Sequence, residues 1–219
     1  MSHIRPLTLL RGALLATCSG LAIAIAAPAA QAAPTVGVSF TYTIENGLPT
    51  TFSDTSSTSL AVNPSGFAGS SNISGSHWGS PNGVFGSRSA GNGVYDNFGS
   101  SSWSDSFTNN GSQSVNLVAS FLIEQGSISV FAGQTGTVAA GVSAVILVNN
   151  TEVFSSVADM QVVAGGMATL VKGGQDLAPS NETLAVGNGD YFWGTYLGTI
   201  DLGLVAPGAT VEIDYILRS

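Results

Sequence analysis

The sequence predicts an all-β protein, an antiparallel two-sheet β-sandwich of jelly-roll type. Three observations carry the prediction. Apolar and polar residues alternate in short runs, clusters of Gly, Asn, Pro and Ser separate those runs, and no stretch shows the 3.6-residue apolar period of an amphipathic helix. A β-solenoid would need a fixed internal period, and none is found.

The first 32 residues stand outside that pattern. Arg5 and Arg11 form a basic start, Leu7 to Ala30 is dominated by Leu, Ile and Ala, and Ala30-Gln31-Ala32 reads as a small-residue cleavage site. Residues 1–32 are therefore expected to be a cleaved signal peptide and 33–219 a single domain, secreted and without membrane attachment after cleavage. The one cysteine, Cys18, leaves with the leader, so the exported domain must rely on its core rather than on disulfides. It keeps Arg88, Lys172 and Arg218 against 13 acidic residues, a formal charge of 3 − 13 = −10. That balance excludes nucleic acid and anionic lipid as partners, because both need basic patches.

The first strand is written in Val36, Val38, Phe40, Tyr42 and Ile44, which alternate with Gly, Ser and Thr until Glu45-Asn46-Gly47. A short strand over Thr58 to Val62 ends at Asn63-Pro64-Ser65-Gly66. From Gly66 to Gly111 ten glycines and twelve serines are interspersed with seven aromatics, too many for a flexible linker. This predicts a packed region of short strands and tight loops, in which His77 and Trp78 lie in a surface loop. Trp103, Asp105 and Phe107 begin a strand that leads through Asn109-Asn110-Gly111 into Val115 to Ile123, the most uniformly apolar run of the chain. Glu124 to Ser127 supplies turn residues, so this run is expected to fold back on Ile128 to Phe131 as a hairpin. Val142 to Val148, Val153 to Val157, Met160 to Val163 and Met167 to Val171 read as further strands, followed by a loop at Pro179 and an aromatic cluster at Tyr191, Phe192, Trp193 and Tyr196. Ile200, Leu202 and Leu204 then run into Ala206-Pro207-Gly208, and Val211, Ile213, Tyr215 and Leu217 run back, the pattern of a terminal hairpin with a type II turn.

Two of these stretches resemble a known group. Trp103-x-Asp105-x-Phe107-x-Asn109 before Val115-x-Leu117, and Leu204-Val205-Ala206-Pro207-Gly208-Ala209-Thr210-Val211-x-Ile213-x-Tyr215, are similar to exported bacterial β-sandwich proteins of the PEP-CTERM and choice-of-anchor kind. The resemblance covers about the second half of the chain. It implies an exopolysaccharide or biofilm setting without enzymatic activity. The Pro-Glu-Pro, apolar helix and arginine cluster of that group are not matched by Leu217-Arg218-Ser219, so it implies no surface anchor here.

Catalytic inventories fall short. His77 is the one histidine beyond the leader, no G-x-S-x-G elbow accompanies it, and zinc would need more histidine or cysteine. A glycosidase needs two carboxylates about 5–10 Å apart, and Glu212 with Asp214 on one strand face reads as solvent-facing alternation. No enzyme is expected. Calcium has better donors, with Asp96, Asp105 and Asp190 in Asn- and Gly-rich surroundings, although no EF-hand spacing is present. For a glycan, Trp78, Tyr95, Trp103 and Trp193 offer flat aromatic faces beside Asn, Asp and Gln. Two functions follow as expectations. The first is a non-catalytic structural or extracellular-matrix role with self-association through edge strands. The alternative is a carbohydrate-binding module for extracellular polysaccharide, with calcium as its cofactor.

Overall fold

The computed structural model describes residues 4–8, 33–45, 47–130, 136–177, 183–185 and 189–219. Arg11, Cys18, the Ala30-Gln31-Ala32 site, Asn46, Pro179 and Asn188 lie outside the described residues. The early strands are β1 (Ile4–Thr8), β2 (Thr35–Ile44), β3 (Thr50–Ser56), β4 (Leu60–Val62), β5 (Ser65–Ala68) and β6 (Ser71–Gly79). The middle of the chain forms β7 (Phe85–Asn92), β8 (Tyr95–Thr108), β9 (Val115–Ile123), β10 (Gly126–Ser129), β11 (Thr137–Val148) and β12 (Thr151–Val163). The last are β13 (Thr169–Gly174), β14 (Thr183–Ala185), β15 (Asp190–Trp193), β16 (Tyr196–Val205) and β17 (Thr210–Arg218).

Every pairing is antiparallel. One sheet runs β16-β9-β1-β7-β6-β4, with β5 also on β6. The other runs β13-β12-β11-β17-β8-β2-β3, and a three-stranded sheet, β10-β15-β14, stands apart. The two large sheets face each other across a shared core, as expected of the fold class. Phe121, Ala119 and Ile123 from β9 meet Ile146, Tyr215 and Trp103 from the opposite sheet, and Ile128, Tyr191 and Trp193 close one end. Tyr215 takes the ring edges of Phe85 at 4.9 Å and Phe121 at 5.9 Å. Burying each such ring stabilises the fold by about 2–3 kcal/mol. A smaller cluster of Phe40, Ile44 and Ile73 fills the other end.

Two expected hairpins do not form. β9 pairs with β1 and β16, whereas β10 pairs with β15, so the chain passes Glu124-Gln125 without folding back. Gly126 is needed for packing here, not for turning. A Cβ on it would collide with Cζ2 of Trp193, whose ring covers the backbone. Likewise β16 joins the β9 sheet and β17 the β8 and β11 sheet. The Pro207-Gly208 turn does form, with Gly208 at φ 74° and Ala209 N–H donating to Ala206 C=O at 3.0 Å, but it is a corner between layers.

A second corner, from β8 to β9, lies beside it, and Asn109 joins the two. Its Nδ2 donates to Gln113 C=O (2.9 Å) and Val205 C=O (2.8 Å), its Oδ1 accepts from Gly111 N–H (3.0 Å), and its backbone bonds Ala209 and Gly208. It is 3% exposed, so each of these groups would otherwise be desolvated without a partner. Met160 to Val163 is continuous with Val153 to Val157 in the single strand β12.

Candidate functional site

A cleft of about 840 Å³ opens at the end of the sandwich. One wall is β7 from Ser87 to Gly91 and the other is β10 from Ser127 to Ser129. Ala139 to Val142 of β11 and Asp159 to Gln161 of β12 form its floor. Thr169 and Val171 of β13, with Tyr95, Asp96, Asn97, Trp193 and Ser219, complete the lining. Its charged side chains are Arg88 against Asp96 and Asp159, so the lining is mostly hydroxyl, amide and small apolar groups.

Three of the seven residues singled out in the sequence therefore converge here: Tyr95, Asp96 and Trp193. Tyr95 is half-buried, and burial raises its phenol above the ordinary value. Asp96 is exposed and pairs with Thr43 across the strand, which puts it at the rim. Trp193 belongs to the core at 4% exposure, and its indole N–H donates to Glu124 C=O at 3.2 Å. The other four lie elsewhere. Trp103 is 3% exposed beneath the Pro81 carbonyl, to which its N–H donates at 3.1 Å. Asp105 is also on the buried face of β8, with Oδ1 accepting from Ser106 N–H at 2.8 Å. Asp190 opens β15, opposite Ser129 and Ala185. Trp78 is on β6 instead of in a loop, half-buried with its ring over Gly86 of the next strand. Asp96, Asp105 and Asp190 are thus spread over separate faces. Among the described residues no three His, Cys, Asp or Glu side chains gather as a metal cage.

His77 is likewise not a loop residue. It is fully buried on β6, stacked on Phe40 at 4.9 Å, with the backbone of Gly99 against its edge. A Cβ on Gly99 would overlap the imidazole Cε1, so only glycine permits this packing. Nδ1 shares a hydrogen bond with Ser87 Oγ (2.8 Å), which also bonds Ser219 Oγ (2.7 Å), and Ser219 Oγ bonds Ser89 Oγ (3.0 Å). Nε2 is buried with no partner among the described residues, and burial lowers the imidazole pKa to about 4. A neutral ring at pH 7 linked to a serine resembles part of a nucleophilic dyad. No carboxylate, however, is among the described partners of Nε2. Nothing in the sequence marks this network, because its serines stand among many others.

The outer face of the β8 sheet is the second candidate surface. Inward residues of β8 are buried, so Ser100, Ser102, Ser104, Ser106 and Thr108 point outward. Thr35, Ser39, Thr41 and Thr43 of β2 flank them, then Thr51, Ser53 and Thr55 of β3. Thr41 and Thr51 hydroxyls meet at 3.0 Å, and Thr108 and Thr210 at 2.8 Å. Successive outward hydroxyls on a strand lie roughly 6.8 Å apart, and neighbouring strands about 4.8 Å. The β2 and β3 part of this array carries no charged outward side chain; Asp96 of β8 lies opposite Thr43 at one end, the exposed Phe98 lies opposite Thr41, and β17 adds Glu212, Asp214 and Arg218. The periodic serines and threonines of the sequence foreshadow this face, but only strand order sets them side by side.

Compared with protein-family models, curated proteins and solved structures, the chain matches none.

Proposed function

We propose that this is an exported, non-catalytic β-sandwich with a matrix role, held against neutral extracellular polysaccharide by its hydroxyl face. The array of Ser and Thr side chains over β3, β2 and β8 carries this reading. Such a face offers donors and acceptors to a polymer rich in hydroxyls, and over β2 and β3 no charge has to be desolvated on contact. Each hydrogen bond contributes little, so attachment arises from many contacts made at once. The exported setting rests on the leader pattern of residues 1–32 and on a charge balance that disfavours anionic partners.

The test is retention on insoluble neutral polysaccharides, with calcium and then with chelator. Thr41→Arg with Ser39→Arg should lower retention at least tenfold, while the unfolding midpoint stays within a few degrees. Retention that ignores this pair, or none on any polymer, would refute the proposal. A second reading, glycan binding in the cleft with calcium, is favoured by the meeting of Tyr95, Asp96 and Trp193 there. It predicts release by chelator and by Tyr95→Ala, with no effect from the arginine pair.

A further inference from the structure

The cleft has an architecture that neither reading uses. Its two walls are strand edges. β7 is hydrogen-bonded to β6 along its whole length, but on its other side the register reaches β1 only at Phe85. β10 pairs with β15 on one side and with no strand of the described residues on the other. Among the described residues, β7 therefore presents an open edge to the cleft from Gly86 onward, and β10 presents one facing it. A free edge displays N–H and C=O groups at strand spacing, and a second polypeptide backbone satisfies them best.

One end of the same gap already holds such a backbone. β1 lies between β7 and β9 and is antiparallel to both, with Ile4 opposite Phe85 on one side and Ile123 on the other. Past the Ile4–Phe85 pair, the cleft lies between Ser87–Gly91 of β7 and Ser127–Ser129 of β10. The gap is thus one strand wide where β1 lies, and its floor of Ala139, Ala140 and Gly141 leaves room for side chains of the incoming strand.

We infer that the gap between β7 and β9–β10 is a strand-acceptor site. Once residues 1–32 are removed, it takes one extended, weakly charged segment of a partner protein, antiparallel to β7 and to β9–β10. In the uncleaved chain the leader strand occupies the β9 end of the site. Low charge in the incoming segment follows from the cleft, where one arginine faces two aspartates among hydroxyl and small residues. This rests on the export reading for removal of the leader, and on no property of the hydroxyl face. The described core residues run from Val36 to Leu217, so the chain from Ala33 onward carries its own core.

The test uses a synthetic peptide of residues 1–10, MSHIRPLTLL, acetylated at its N-terminus so that Arg5 is its one fixed charge besides the C-terminus, as the strand. It is added to the chain beginning at Ala33 and to the full chain, and amide hydrogen exchange is followed. Expected are one-to-one binding to the shortened chain and at least tenfold slower exchange at amides of both Phe85–Arg88 and Ser120–Gly126, the positions opposite the peptide in the register of β1. The full chain should bind at least tenfold more weakly. Ala140→Phe, which fills the floor, should abolish binding while the near-ultraviolet spectrum of the folded chain is retained. Should the shortened chain not fold, the full chain with Ile4→Gly and Leu7→Gly, which loosens β1, should gain peptide binding instead. Failure of the peptide to slow exchange on either edge of a folded chain would overturn the inference. So would cleft occupancy by neutral oligosaccharides that protect no backbone amide. Failure of export would show separately, as an uncleaved N-terminus by mass spectrometry, with peptide binding to the shortened chain intact.

Discussion

His77 makes the stability of this fold depend on pH in a way that can be worked through. The imidazole is fully buried, its Nε2 has no partner among the described residues, and its pKa falls from 6.5 to about 4. In the unfolded chain the ring is solvated and takes a proton near pH 6.5. Between the two values the unfolded state binds more protons, so stability falls as pH falls. Above pH 6.5 the full contribution is present, and below about 4 both states are protonated and nothing further is lost. Each pH step of one between the two values costs about 1.36 kcal/mol, so from pH 7 to pH 4 this one group accounts for a loss of about 3 kcal/mol. Carboxylates also titrate towards the acid end, so the comparison is with His77→Asn, which can still bond Ser87 but carries no titrating ring. Urea unfolding followed by tryptophan fluorescence at pH 7, 6, 5 and 4 gives both profiles. The native protein should lose about 3 kcal/mol more than the variant over that range. Parallel profiles, or an imidazole that titrates near 6.5 by NMR in the folded protein, would refute the buried, neutral assignment.

Two further substitutions probe the interior. Asn109→Ala removes three side-chain hydrogen bonds that join both interlayer corners, and it should cost about 3 kcal/mol, lowering the melting temperature by roughly 6–12 °C. Calorimetry showing less than 1 kcal/mol would mean that the corners do not depend on it. The Tyr215 hydroxyl is buried without a partner among the described residues, and burial pushes its pKa far above the ordinary phenol range. Tyr215→Phe keeps the ring contacts with Phe85 and Phe121 and removes a desolvated group, so it should raise stability by about 1 kcal/mol. Denaturant unfolding that shows a loss instead would point to a hydrogen bond at that oxygen.

How the sequence relates to the structure is clearest at the two corners. Val115 to Ile123, Tyr196 to Val205 and Thr210 to Arg218 can be read as strands from alternation alone, because a half-buried strand needs one apolar face. The Pro207-Gly208 turn can be read as well, since a positive φ selects glycine. Which strands those turns join is a different matter. A Pro-Gly turn serves a hairpin or a passage between layers equally, and Asn109 decides for the passage through bonds to Gln113 and to Val205, 96 positions away. Gly126 shows the same ambiguity. Its local chemistry reads as a turn, while its actual constraint is the ring of Trp193 above it.

The candidate sites divide along this line too. Low charge, abundant serine and threonine, and their spacing of two along the strands were written in the chain. Those features account for the fold class and for the chemistry of the surface. Placing β3, β2 and β8 edge to edge, so that hydroxyls form a continuous face, required the strand order. The aromatic residues show the limit of local reading, since alternation gives a side but not its depth. Trp103 and Trp193 became core, while Tyr95 and Asp96 reached the cleft. His77 was drawn inside because glycines at 75 and 99 leave space against its ring, a fact of two neighbouring strands that no local window contains. Strands and turns follow from short-range sterics and from the period of apolar residues. Pairing, burial and the open edges of β7 and β10 follow from contacts between residues far apart in the chain, which only the folded arrangement brings together.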